Sequence, residues 1–261
     1  MARWKGLGVA AVAALAFVAV KVVPWALGFA GGKYLYQTVM GSHDDSAKLT
    51  VAQVSDQLQS QGFQIFKVVK QEFPNEYDAI VQKIAAVAAS GGDEAEVRNV
   101  SRVAVADLRH KYASLLRSTP DDTASEALGA QLDMLKDVMA RESAATCNSY
   151  LRNGPDALGT PDKDFLNDMD KIGATLFHAF GAAKNGGLPA ADPSDQDWSL
   201  LADAFTSAGG TPAEMDAIAN ISREFEGLCP AAAKLYAAAL SLQGESGRRI
   251  KTALLYEIAK N

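Results

Sequence analysis

The chain is poor in the residues that most metal, redox and hydrolytic sites use. It contains two cysteines and three histidines in 261 residues. The cysteines form no CxxC or CxxCH pair, which excludes the usual zinc, thioredoxin-like and c-type haem patterns. No HExxH, GxSxG or SxxK motif is present, and the glycine doublets end helical patterns and do not follow strands. The sequence therefore predicts neither a metal nor a cofactor.

Alternating apolar and polar runs, which predict half-buried β-strands, are also lacking. After position 50, apolar residues recur instead with the period of about 3.6 that is typical of amphipathic helices. We therefore predict an all-α fold, with an N-terminal single transmembrane helix followed by a multi-helix globular domain. No helical repeat of the common lengths is evident, which disfavours a solenoid.

Basic residues are too few to balance the acidic ones. The chain has 25 lysines and arginines against 31 aspartates and glutamates, a net charge of −6 at pH 7. Residues 1–41 contain four basic and no acidic residues, so residues 42–261 carry −10. An acidic domain repels phosphate backbones, and nucleic acid is not an expected partner. The same sign disfavours contact between this domain and anionic lipid.

The N-terminal segment contains the one long apolar run. Between Gly6 and Ala30 the only charged residue is Lys21, and Trp4 and Trp25 flank most of the run. At ~1.5 Å per helical residue the two tryptophans stand about 31 Å apart, close to the thickness of a bilayer core. Tryptophan favours membrane interfaces. The pattern predicts a membrane anchor over residues 1–41, in contact with lipid.

Lys21 and Tyr34 fit an interfacial position at the C-terminal end of this span. Lys21 lies four residues from Trp25, about 6 Å along a helix, and a lysine side chain can extend over that distance to the interface. Tyr34 adds an aromatic anchor beyond the span. We therefore predict that Trp4, Lys21, Trp25 and Tyr34 mark the two interfaces.

Positive charge predicts the orientation of the span. Arg3, Lys5 and the α-amino group precede it, whereas Lys33 alone follows before Asp44 and Asp45. Basic flanks favour the cytoplasm. The prediction is a single-pass protein with a cytoplasmic N-terminus and a periplasmic or extracellular C-terminal domain.

Two other interpretations of the N-terminal run remain open. A cleaved signal peptide suits the basic start and the apolar stretch from Gly6 to Val20. Val18 and Val20 are poor cleavage-site residues, however, and the small residues Gly28 and Ala30 lie far from that stretch. A buried core helix or hairpin is the third interpretation.

The two cysteines, Cys147 and Cys229, predict a single disulfide if the domain is exported, because disulfides persist in oxidising compartments. In a cytoplasmic domain the same residues would be two reduced, buried thiols. The disulfide prediction and the predicted orientation therefore depend on each other, because both require an oxidising compartment.

Helix boundaries are predicted from caps, prolines and glycines. The long helix from Asp93 is expected to reach Arg117, and the one from Thr123 to run through Cys147. The acidic domain, residues 42–261, is expected to divide, if at all, near residues 154–160. The predicted starts are Thr50, Pro74, Asp93, Thr123, Thr160, Ser194, Thr211 and Pro230.

Few polar residues suggest chemistry. The acidic group Asp162, Asp164, Asp168 and Asp170 lacks the spacing of a calcium loop, and Asp162 and Asp164 fit the positive end of a helix. His110 and His178 have no second histidine at metal-binding spacing. Paired carboxylates for glycoside hydrolysis remain open, since the many acidic residues could supply a pair in space.

The sequence predicts a membrane-anchored, extracytoplasmic binding or scaffolding module rather than an enzyme. Its partner would be an unidentified protein or a second copy, and Gly28 and Gly32 form a GxxxG pair that could bring two helices together. One alternative is an extracytoplasmic enzyme whose site is assembled from dispersed carboxylates or histidines. Another is a secreted effector whose apolar N-terminus acts on a target membrane.

Overall fold

The computed structural model describes residues 50–260 except 61, 160 and 161. This part of the chain is entirely helical, which confirms the all-α prediction for the described residues. It contains α1 (Val51–Ser60), α2 (Gln64–Glu72), α3 (Pro74–Ala89), α4 (Glu94–Tyr112), α5 (Asp121–Arg141), α6 (Ala144–Asn153), α7 (Lys163–Gly186), α8 (Asp195–Ser207), α9 (Pro212–Ala219), α10 (Leu228–Ser241) and α11 (Gly244–Lys260). Two 3₁₀ helices, Ala113–Ser118 and Pro155–Leu158, lie between α4 and α5 and between α6 and α7.

Several helix starts are set by local capping, as the sequence predicts. The Asp93 side chain accepts a hydrogen bond from the Glu96 amide, and the Glu96 carboxylate accepts one from the Asp93 amide. Thr211 and Glu214 form the same reciprocal box at α9, where Pro212 occupies the first turn. Such boxes satisfy amide groups that the helix itself leaves without partners.

Other predicted boundaries are wrong. The helix from Asp93 ends at Tyr112 and continues as a 3₁₀ helix, not as an α-helix to Arg117. Thr123 caps nothing, because α5 begins two residues earlier behind Pro120, and the Thr123 hydroxyl bonds Asp122 instead. The next helix is separate: α5 ends at Arg141 and a new helix begins behind Ser143.

The long helices α5 and α7 form the centre of the fold. They pack against each other, α2 and the first 3₁₀ helix pack on α7, and α10 and α11 pack on α5. The buried apolar residues make one continuous cluster that runs from Val54 in α1 to Ala259 in α11. The core includes an aromatic group at the α2–α7 side, where the ring centroids of Phe73 and Tyr112 lie 4.6 Å apart. The subdivision near residues 154–160 stays a prediction.

Helix α6 is joined to the first turn of α10 and to the residues just before it. Cys147 and Cys229 lie at disulfide distance, as predicted, with Cα atoms 6.1 Å apart. The Asn148 amide donates to the carbonyls of Phe225 and Glu226, and its oxygen accepts from the Cys229 amide. The disulfide therefore lies beside a polar clamp that holds the same two segments together.

The membrane segment lies outside the described residues, and so do Trp4, Lys21, Trp25 and Tyr34. Among the helices that the structure does describe, none has both the length and the apolar character to cross a bilayer. The anchor, its interfaces and its orientation therefore stay predictions.

Candidate functional site

A cleft of about 570 Å³ opens on the surface where α2, α5 and α7 meet. Most of its lining is exposed and polar, and Asp170, Ala174 and Thr175 form a buried floor. The lining residues are Gly62, Gln64, Val68, Glu126, Asn167, Asp170, Lys171, Ala174, Thr175 and His178.

Asp170 joins α7 to the N-terminus of α2. Its carboxylate accepts hydrogen bonds from the amides of Gln64, at 2.7 Å, and Ile65, at 3.0 Å. The residue in the N-cap position, Phe63, has no side-chain acceptor of its own. Asp170 is only 8 % exposed, and this burial raises its pKa although the two amides favour the charged form. A carboxylate from a distant helix thus replaces the local cap.

The other end of α2 is also held by α7. The Lys184 ammonium donates to the backbone carbonyl of Glu72 at 3.1 Å, and the Asn185 amide donates to the Glu72 carboxylate at 3.1 Å. His178 Nδ1 lies 3.8 Å from the same carboxylate. A nine-residue helix is too short to be stable alone, so α7 fixes α2, which forms one wall of the cleft.

Lys171 contributes a positive charge to the cleft, and Glu126 contributes a negative one. The Lys171 ammonium pairs with Asp133 of α5 at 2.8 Å, and this bond raises the pKa of Lys171. Glu126 lies two turns before Asp133 on α5, and its charge acts on the same lysine. Within the described residues the Glu126 side chain makes no hydrogen bond.

Two glycines on the helices that form the cleft have different surroundings. A Cβ atom at Gly173 of α7 would overlap with the Cδ1 atom of Ile65 in α2, so the glycine permits the close approach of these helices. Gly129 of α5 lies between Glu126 and Asp133, and no atom beyond its chain neighbours and the backbone of its own helix comes within 4 Å of the place where its Cβ would be. One glycine is needed for packing, whereas the other leaves open space.

Replacement of Asp170 by alanine is expected to lower the free energy of unfolding by about 1–2 kcal/mol, because it leaves two amides of α2 without an acceptor. Asp170→Asn keeps an acceptor and removes a buried charge, so its effect is expected to be smaller. Urea denaturation at pH 7 measures both. Equal losses for the two variants would contradict the capping role.

A second group of acids lies outside the cleft lining, where Asp137 of α5 meets Asp168 of α7. Burial, followed by the hydrogen bond and negative charge of Asp137, raises the pKa of Asp168 to about 6. Lys171 and Arg141 oppose this shift. Two carboxyl groups that share a proton near neutral pH can take part in acid–base chemistry.

The structure separates the four aspartates that the sequence groups together. Asp162 is the N-cap of α7, accepting from the amides of Asp164 and Phe165, as its expected helix-start role requires. Asp168 and Asp170 have the different roles given above. Thr160 and Pro161 are outside the described residues, and the predicted helix start there is wrong, because α7 begins at Lys163 behind Asp162. No group of three potential metal-binding side chains occurs in the described part of the chain.

Sequence reasoning missed the cleft and the role of Asp170. A signal was present: Gly62 and Phe63 precede α2 and offer no capping oxygen, so its first amides need an acceptor from elsewhere in the fold. The sequence could indicate that need, but it could not identify the residue, which lies more than 100 positions away.

The chain was compared with models of known protein families, with curated proteins and with solved structures. None of the three comparisons finds a match. A functional proposal therefore depends on the sequence and on the geometry of the site.

Proposed function

We propose that the chain is a membrane-anchored binding or scaffolding protein. Residues 1–41 would hold it in the membrane, and the helical domain would lie outside the cytoplasm and engage an unidentified protein or a second copy through the cleft between α2, α5 and α7. The apolar N-terminal run supports the anchor. The Cys147–Cys229 pair supports an oxidising compartment.

The observation that carries this proposal is that Asp170 and Lys171, two charged groups of the cleft, are already held in place by the protein. Asp170 bonds two backbone amides, Lys171 pairs with Asp133, and His178 lies beside Glu72. Groups fixed in this way present a rigid pattern of charge to a ligand. A general base or nucleophile instead needs a partner arrangement that activates it. The cleft therefore fits recognition better than catalysis.

Site-specific photo-crosslinking in cells that produce the full chain tests the proposal. A benzophenone amino acid in place of His178, on the exposed rim of the cleft, should give a cross-linked product. The same probe in place of Asp203, an exposed residue of α8, should not. Ala174→Trp, which fills the floor, should abolish the product. No product at the His178 position, or an equal one at the Asp203 position, would contradict binding in the cleft.

The compartment has its own measurement. Alkylation of intact cells before and after reduction, read with the mass of the mature chain, reports the thiol state and the fate of residues 1–30. Protected cysteines with the N-terminal segment retained are expected. Two free thiols would overturn the extracytoplasmic placement, and loss of the segment would point to a secreted protein.

The Asp137–Asp168 pair favours a second candidate function, a hydrolase that uses two carboxyl groups sharing a proton. Carboxyl groups in hydrogen-bond contact are closer together than the roughly 5–9.5 Å that glycoside hydrolysis requires. Hydrolysis of a peptide panel by the purified full chain, lost in Asp168→Asn and kept in Asp203→Asn, would support this function. Absence of turnover across the panel would leave binding as the better account.

The carboxyl pair also predicts a pH dependence. Because the folded-state pKa of Asp168 is about 6, above the ordinary value of about 4, the stability associated with its protonated form is fully present below pH ~4. It is lost as the pH rises through 6. Asp137→Asn should lower the pKa of Asp168 by about one unit. It should therefore reduce the stability that is lost as the pH rises through 6. Carboxyl ¹³C NMR titration measures the shift; an unchanged pKa would show that the two groups do not share a proton.

A further inference from the structure

We propose that the cleft between α2, α5 and α7 binds an extended, lysine- or arginine-rich peptide segment of the partner, with Glu126 and Asp170 as the groups that receive its cations. This inference rests on the proposed binding function and names the chemistry of its ligand.

The charge around the cleft favours a cation. Four carboxylates line it or pair with its lining residues, and three lysines of the described residues act on these groups. Lys171 is engaged by Asp133, Lys184 donates to the backbone carbonyl of Glu72, and Lys67 acts on Asp170 from a distance. The domain as a whole carries −10, so a basic segment is also attracted over a longer range. The four carboxylates are Glu72, Glu126, Asp133 and Asp170.

Two of these carboxylates have unused capacity to accept hydrogen bonds. Glu126 is exposed and makes no hydrogen bond within the described residues. Asp170 is more than nine-tenths buried on the cleft floor, and each of its oxygens accepts a single amide hydrogen bond. A carboxylate has about four acceptor positions, so roughly two remain on Asp170. A cation there would also offset the cost of burying its charge.

The shape and the amides of the cleft favour a peptide over a small amine. Gln64 and Asn167 are exposed, and their side chains make no hydrogen bond within the described part of the chain. An amide side chain offers both a donor and an acceptor, which matches the backbone groups of an extended peptide. Gly129 follows Glu126 by three positions on α5 and presents no side chain, although glycine inside a helix costs about 1 kcal/mol relative to alanine. A chain that contacts Glu126 therefore meets no side chain at this position.

Fluorescence anisotropy with a labelled pentalysine peptide tests the inference on the full chain in a zwitterionic detergent. We expect saturable binding that weakens with salt. Glu126→Gln should weaken it about threefold, as expected for loss of an exposed ion pair, and Glu126→Lys about tenfold. The matched control is Glu224→Gln, which removes the same charge from a side chain that is 99 % exposed and lies outside the cleft. It should change the affinity less than twofold.

The outcomes distinguish failure of the cationic-peptide proposal from failure of the proposed binding function. Equal weakening by Glu126→Gln and Glu224→Gln would mean general attraction to an acidic protein and would overturn the inference. The inference would also be overturned if pentaglutamate bound more tightly than pentalysine, or if spermidine bound more tightly than pentalysine. If photo-crosslinking at the His178 position captures a partner whose cross-linked segment is acidic or uncharged, the binding function stands and the cationic ligand is wrong. A lysine- or arginine-rich segment at that position would support both.

Discussion

The double substitution Cys147→Ala and Cys229→Ala is expected to lower the free energy of unfolding by about 4 kcal/mol. The cysteines are separated by 82 positions, and cross-linking so long a loop removes much of the conformational freedom of the unfolded chain. Both residues are almost fully buried. Alanine is used because serine would place a hydroxyl group in the core at an additional cost.

The same variant is expected to keep the native fold. The Asn148 clamp and the hydrogen bonds from Arg152 to the carbonyls of Ile221 and Arg223 still join α6 to the segment before α10. Urea denaturation of the oxidised chain, the reduced chain and the double variant measures the difference. Reduction should reproduce the variant, whereas Asn148→Ala should lower stability with the disulfide intact. Equal stability of all three forms would show that Cys147 and Cys229 do not pair.

Gly173→Ala is expected to destabilise the protein by about 2 kcal/mol, although alanine is the better helix former. The added methyl group would overlap with Ile65 Cδ1 and push α2 away from α7. Gly129→Ala is the matched control: it makes the same change in a helix interior, but the new Cβ meets no atom within 4 Å. It should stabilise the protein by about 1 kcal/mol.

A second substitution tests the cause of the Gly173 effect. Ile65→Val removes the Cδ1 atom that the new methyl group would meet, so it should cost less in the Gly173→Ala background than in the native chain. A double-mutant cycle from thermal denaturation gives this coupling. Simple additivity of the two changes would contradict the proposed contact between α2 and α7.

The sequence could predict features that depend on neighbouring residues. The Thr211–Glu214 box and the Asp93 cap are confirmed because each lies within one helical turn. The helix start predicted at Thr123 is wrong because Pro120 and the two aspartates just before Thr123 also favour a helix start. The helix begins at this earlier position. Local rules do not rank competing signals that are so close together.

The candidate site depends on contacts that local rules do not contain. Gly129 and Gly173 look alike in the sequence, since both interrupt strong helical patterns, and only the neighbouring helix distinguishes them. Asp170 directly follows a residue of the apolar stripe of α7, and nothing in the neighbouring sequence indicates that it caps α2. The Asp137–Asp168 pair likewise requires the packing of α5 on α7. Fold class could be predicted, whereas the cleft required the packed structure.

The dependence of α2 on α7 has a consequence for biosynthesis. Asp170, which caps α2, is 106 and 105 positions away from Gln64 and Ile65, whose amides it accepts from. At a ribosomal rate of about 5–20 residues per second, this part of α7 emerges roughly 5–20 s after α2. During that interval Ile65 has no α7 surface to cover it. Until α7 is made, α2 therefore lacks both the acceptor that caps its first amides and the helix that packs against it.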